Sequence, residues 1–122
     1  MKIISFAWTT EAFLAGRKTR TRRDWAYNYA SRFHVGDLCQ AWNYSPRVKS
    51  KNPHRIGTLK ITGLKYEALS AVEPEDFEKE GFAYLEEKGL TVNGWTPEHI
   101  YQDWRMDDTK MWVMDFERVE VE

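Results

Sequence analysis

The hydrophobic positions fall into short runs of two kinds, and the change of period between them lays out the chain. Alternating or β-branched runs predict strands: "KIISFAW" near the start, "TRTRR" from Thr19 to Arg23, "LCQAWNY", the long "RIGTLKITGLKYEAL", and the closing "KMWVMDFERVEV" from Lys110 to Val121. Gly63, inside the longest run, predicts a bulge or bend. Helical spacing fills the intervals. Thr10 is placed to cap a brief helix through Leu14 that stops at Gly16, and Asp24 to cap "WAYNYASRF". "EPEDFEKEGFAYLEEKG" predicts a helix that buries Phe77, Phe82 and Leu85, and Pro97 opens a second one, "PEHIYQDWR", capped by Thr96. Uneven strands with helices inserted between them predict an α+β domain, a small mixed β-barrel with short helices at its rim. With 122 residues the chain supports one core and a single domain spanning 1–122.

Charge changes that picture from a plain globule to a polarised one. The net charge is −1, yet Met1 to Lys65 carries 13 lysines and arginines against three acids, and Tyr66 to Glu122 carries five against 16. The two halves either neutralise each other in space or leave one basic face. The densest cluster is "GRKTRTRRDW", with Arg17, Lys18, Arg20, Arg22 and Arg23 interrupted only by two threonines. On a strand, Thr19, Thr21 and Arg23 share one side while Arg20 and Arg22 share the other. Crowded cations are costly unless something negative covers them or each escapes separately into water. A second basic segment, "SPRVKSKNPHRIG", brings Arg47, Lys49, Lys51 and Arg55 into a loop.

Other chemistry is thin. The single Cys39 permits neither an internal disulfide nor a multi-cysteine zinc site, and as a strand residue it reads as an inert buried thiol suited to a reducing cytoplasm. His34, His54 and His99 lack ligand spacing, so no metal is expected and no cofactor is implied. No run of about 18 apolar residues is present, so neither a membrane span nor an export signal is expected. Six tryptophans fill a core economically or, near the surface, stack on flat ligands; Trp95, between Gly94 and a helix start, is the best candidate for an exposed ring.

The segment "GRKTRTR" resembles the signature of the ASCH (activating signal cointegrator 1 homology) family, in its small bacterial form Gly-x-Lys-x-x-Thr-x-Arg. Gly16, Lys18, Thr21 and Arg23 occupy the pattern, with Arg22 as a neighbour. The following "VGD", the later "EKEGF" and the terminal "MWVMDFERV" extend the resemblance over nearly the whole chain. It implies a PUA-like β-barrel with a cleft facing single-stranded RNA or a modified nucleoside. The chain is similar to small amidohydrolases that remove the acyl group of N4-acetylcytidine, which implies Lys18, Thr21 and Glu80 as the catalytic set, with Thr21 and Glu80 facing one cavity. Other family members resemble RNA binders or ribonucleases.

The chemistry of those three residues is coherent but under tension. A threonine hydroxyl is inert until a base stands beside it. Lys18 serves if burial and neighbouring arginines favour loss of its proton, whereas a nearby Glu80 favours keeping it. Lys18 and Thr21 also have opposite parity, so they meet only if Lys18 lies in the turn before the strand. Three readings follow: an amidohydrolase using Lys18, Thr21 and Glu80; a noncatalytic or ribonuclease-type RNA module using Arg17, Arg20, Arg22, Arg23, Arg47, Lys49, Lys51, Arg55 and Trp95; and a protein-interaction adaptor.

Overall fold

The structure is a computed structural model and describes residues 1–120, so Val121, the last residue of the expected terminal strand, lies outside the described residues. Five strands form one mixed sheet: β1 (Ile3–Ser5), β2 (Arg20–Arg23), β3 (Leu38–Trp42), β4 (Arg55–Ala68) and β5 (Lys110–Val119), in the order β1-β3-β4-β5-β2. β1 and β3 run parallel, and the other three pairings are antiparallel. The sheet is therefore not the closed barrel expected. β1 and β2 are its edges, and they are bridged by a side chain: Arg23 Nη2 donates to the Ser5 carbonyl at 2.6 Å. Among the described residues no backbone ladder joins the two edge strands.

Five short helices complete the domain: α1 (Thr10–Leu14), α2 (Tyr27–Ala30), α3 (Asp76–Lys79), α4 (Phe82–Glu87) and α5 (Pro97–Arg105). The long strand carries its bulge at Gly63, where the β4–β5 register shifts between Ile61 and Gly63. Thr96 caps α5 by accepting from the His99 amide at 3.2 Å. Two expectations fail locally. Asp24 does not cap α2, whose N-cap is Ala26 with no side-chain bond, and Thr10 opens α1 as its first residue while its hydroxyl donates back to the Ala7 carbonyl at 2.7 Å. The single acidic helix is broken into α3 and α4 by Gly81, whose φ of +90° is open to glycine and strained for other residues.

Packing divides into two cores on opposite sides of β2. Phe6, Phe13, Leu59, Ile61, Met114 and Phe116 are buried together with Cys39 inside the curve of the sheet, and Phe6 stacks on Phe13 at 4.8 Å between centroids. Phe82, Leu85 and Tyr101 form a second cluster among the helices, with Phe77 and Trp104 against it. Cross-strand pairing puts Thr21 opposite Met114 on the first side, and Arg20 opposite Asp115 on the helical side. The alternation thus sends Thr21 into the sheet core, with Arg23 on the same side, and Arg20 and Arg22 toward the helices.

Gly81 is where the helical layer approaches closest. A Cβ there would lie 2.6 Å from Ala12 Cβ and 3.3 Å from Lys18 Cβ. Gly81→Ala is expected to destabilise the domain by about 1–3 kcal/mol, through overlap and positive φ together. An unchanged urea midpoint for this variant would show that α1 and α4 do not pack as described.

Candidate functional site

The basic cluster is covered by acids from the second half of the chain. On the helical face of β2, Arg20 Nη1 donates to Asp76 Oδ1 at 2.6 Å, and its Nε to Asp115 Oδ1 at 2.6 Å. Arg22 Nη1 donates to Glu80 Oε2 at 2.6 Å, and its Nη2 to Glu67 Oε1 at 3.2 Å. Nearer the surface, Arg17 is held between Glu78 and Glu87. Asp76 is only 2% exposed and also accepts from the Glu73 amide at 2.8 Å. Its burial raises the carboxyl pKa, but that amide bond and the two arginines outweigh burial and hold it below the usual aspartate range. Arg17, Arg20 and Arg22 are accordingly ion-pair partners inside the fold, which leaves them little capacity for an external anion.

Lys18 and Glu80 meet in the same layer. Lys18 precedes β2, where its amide bonds to the Ala12 carbonyl at 3.1 Å, and Glu80 sits at the end of α3. Lys18 Nζ donates to the Glu80 carbonyl at 2.8 Å and lies 3.4 Å from Glu80 Oε1. The lysine is 4% exposed and the glutamate 2%. Burial lowers the Lys18 pKa most; Glu80 opposes the shift and Arg23 and Arg22 assist it, with the result near 8. The short bond to a carbonyl survives deprotonation, because a neutral amine keeps two N–H groups.

Thr21, also 4% exposed, is brought close to neither of them by a hydrogen bond. Its Oγ1 accepts from Arg23 Nε at 3.1 Å, the same-side neighbour that strand parity assigns to it. Lys18 Nζ and the Arg23 guanidinium both lie near the Phe6 ring, at 5.9 and 5.8 Å from its centroid. Arg23 has no ion pair among the described residues, and burial lowers its pKa from the usual arginine value despite the field of Glu80.

Arg23 also forms part of the wall of an open groove of about 640 Å³. Trp25, Tyr29 and Phe33 line it with Arg32 and Arg47, and Trp25 stacks on Phe33 at 4.5 Å and 11°. Neither Lys18, Thr21 nor Glu80 lines this groove, so the expected single cavity shared by Thr21 and Glu80 is not what it provides. Of the other expected binding residues, Lys49 and Lys51 sit on an exposed turn outside it. Arg55 bonds to the Gly57 carbonyl and the Thr58 hydroxyl, lining a separate depression. Trp95 is 54% exposed, as its sequence context suggested, and stacks on His99 at 4.5 Å, away from the groove.

Sequence reasoning missed the acids Asp76, Asp115 and Glu67, and the groove residues Arg32, Tyr29 and Phe33. The signal for the acids was present: two arginines of equal parity on a short strand demand carboxylates on one face. Nothing in the sequence placed α2 beside the loop that carries Arg47. Among the described residues no group of three or more His, Cys, Asp or Glu side chains is arranged to hold a metal ion, and no helix is long and apolar enough to cross a membrane.

No family model matches the sequence, and no curated protein sequence is similar to it. Among solved structures, the fold is similar to the crystal structure of protein EF3133 from Enterococcus faecalis V583, described as family-model DUF984. The TM-score is 0.59 at 11% identity, covering 99% of this chain and 81% of that one. At that identity the likeness is one of fold, a small α+β architecture.

Two pH dependences follow from the buried charges. Because the folded pKa of Asp76 is depressed, its contribution to stability is present above the unfolded aspartate value and is lost as pH falls through the lower, folded one. Asp76→Asn is expected to cost about 1–3 kcal/mol at neutral pH, because Arg20 and Arg22 lose one carboxylate but keep Asp115, Glu80 and Glu67, and to flatten the acid limb of the stability profile. Lys18 acts in the same direction in a higher pH window, because its folded pKa is also depressed. Between its folded pKa of about 8 and the ordinary 10.5 the unfolded chain binds the extra proton, so stability gains from rising pH in that window. The stability difference between the parent and Lys18→Met should shift in the parent's favour across the window, measured by urea unfolding; a flat difference would mean that Lys18 keeps its proton as it does in water.

Proposed function

We propose that the protein is an ASCH-type, PUA-like amidohydrolase acting on an N4-acylated cytidine, with Lys18, Thr21 and Glu80 as its reacting groups. The observation that carries this reading is the state of Lys18: a buried ammonium with a pKa near 8, held chiefly by a backbone carbonyl. A lysine that gives up its proton close to neutrality is what base catalysis on an amide requires, and ordinary structural lysines remain in water with their charge. Thr21 adds a hydroxyl whose oxygen already accepts from a guanidinium, an interaction that stabilises negative charge developing on that oxygen.

In this reading the Thr21 hydroxyl attacks the acyl carbonyl as its proton passes to neutral Lys18. The C–N bond to the cytosine breaks as the departing amine takes a proton back, and water then cleaves the acyl-threonine ester. Glu80 holds the Lys18 side chain and restores its protonation through the pair they form. Productive binding has to bring Lys18 and Thr21 together, which a shift of Arg23 away from Thr21 Oγ1 allows. A noncatalytic module that binds RNA or a nucleoside is the second reading. The closure of the Lys18 layer favours it, since all three groups are at most 4% exposed.

Incubation with N4-acetylcytidine and detection of cytidine and acetate decides between them. Lys18→Arg supplies a group that stays protonated and cannot accept the Thr21 proton, so turnover is expected to fall by roughly two to four orders of magnitude with substrate affinity retained. The rate should rise with pH through a limb near 8 that vanishes in the variant. Parental turnover in Lys18→Arg would rule out the base, and absence of turnover in the parent would leave the binding module.

A further inference from the structure

The arginines of this protein divide sharply by what they face. Arg17, Arg20 and Arg22 are each paired with carboxylates, whereas Arg23, Arg32 and Arg47 form no ion pair among the described residues. Arg23, Arg32 and Arg47 line one groove, which has no aspartate or glutamate in its lining, whereas Arg55, Arg105 and Arg118, which bond to neutral acceptors, lie outside it. Lys2, a further cation of that wall, reaches Asp37 only at 3.8 Å.

Arg23 is the most telling of them. Its Nε and Nη2 are spent on Thr21 Oγ1 and the Ser5 carbonyl, both neutral acceptors, and Nη1 makes no bond within the protein. The nearest carboxylate field acting on it comes from Glu80, which is already committed to Lys18 and Arg22. A half-buried guanidinium without an anion carries a desolvation cost, and that cost is reduced when an anion enters the groove. Arg32 lies over the Tyr29 ring at 5.8 Å, and Arg47 is exposed on the loop beyond Pro46, so both can turn toward the same guest. Beside them Trp25, half-buried and stacked on Phe33, presents a flat apolar wall.

We propose that this groove is a phosphate subsite for a phosphorylated nucleoside, with Arg23, Arg32 and Arg47 gathering the phosphate oxygens and the Trp25 to Tyr29 surface receiving the base. The proposal rests on the nucleoside reading above and sharpens it, since a bare nucleoside leaves three guanidiniums unanswered. Guanidinium forks suit phosphate oxygens, and aromatic faces accept any base. The phosphate has two sources, a free mononucleotide or one unit of a single strand.

The test titrates cytidine, cytidine monophosphate and an oligocytidylate of about six residues into the full chain, following tryptophan fluorescence or heat. Cytidine monophosphate is expected to bind at least about tenfold more tightly than cytidine, with inorganic phosphate competing. Arg32→Gln combined with Arg47→Gln, both at exposed positions, should remove most of that preference. A strand binding far more tightly than the monophosphate, with steep salt dependence, assigns the phosphate to RNA; equal affinity assigns it to a mononucleotide. Equal affinity for cytidine and its monophosphate overturns the proposal, as does a double variant that retains the full preference. Hydrolysis of N4-acetylcytidine is read separately. Phosphate preference without turnover defeats only the hydrolase reading, and turnover without phosphate preference defeats only the subsite.

Discussion

The fold turns on a layer of buried charge between β2 and α3. Two carboxylates, Asp76 and Glu80, are almost wholly enclosed, and between them they hold Lys18, Arg20 and Arg22. Each of those ions would be expensive alone in a protein interior, so the layer is stable only when complete. Completeness demands geometry. The strand must keep its parity, α3 must end at Glu80, and the chain must turn at Gly81 so that α4 packs on α1 and beside Lys18. Apolar contacts supply the bulk of the folding energy on either side, but they tolerate sliding; the ion layer does not. Even here one group is left over, since Arg22 Nε has no partner although it is buried.

Much of this was legible in the chain itself. The alternation of "TRTRR" gave the faces of β2, Gly63 the bulge, Thr96 and Pro97 the start of α5, and the opposite charges of the two halves anticipated that one half would cover the other. What failed was closure and continuity. Periodicity gives strands but not whether the sheet's edges meet, and here those edges are joined by the Arg23 side chain and not by a ladder. The acidic segment has helical spacing on both sides of Gly81, and only the contact with Ala12 and Lys18 explains why a left-handed residue interrupts it. In the set Lys18, Thr21 and Glu80, Lys18 and Glu80 touch, while Thr21 bonds to Arg23, its same-side neighbour on the strand, although Lys18 lies before the strand as a meeting with Thr21 required.

Arg23 links the two regions of interest. It belongs to the motif strand and contacts Thr21, yet its outer surface forms part of the groove wall. Burial without a counterion makes it the least settled charge in the domain. An anion arriving in the groove would draw on the same guanidinium that polarises Thr21, so occupancy of the groove and the environment of the hydroxyl are coupled through a single side chain.

The strand order has a consequence for how the protein is made. β2 lies at residues 20 to 23, but its only strand partner is β5, with Arg20 opposite Asp115. The acids that neutralise β2 also come late, from Glu67 onward. During synthesis the growing chain therefore carries an exposed, strongly basic segment with no ladder to join and no carboxylates to meet, until most of it has left the ribosome. Contacts this distant in sequence make for slow, all-or-none completion. Until its acidic half is made, the newborn chain therefore lacks every carboxylate that the arginines of β2 pair with in the finished fold.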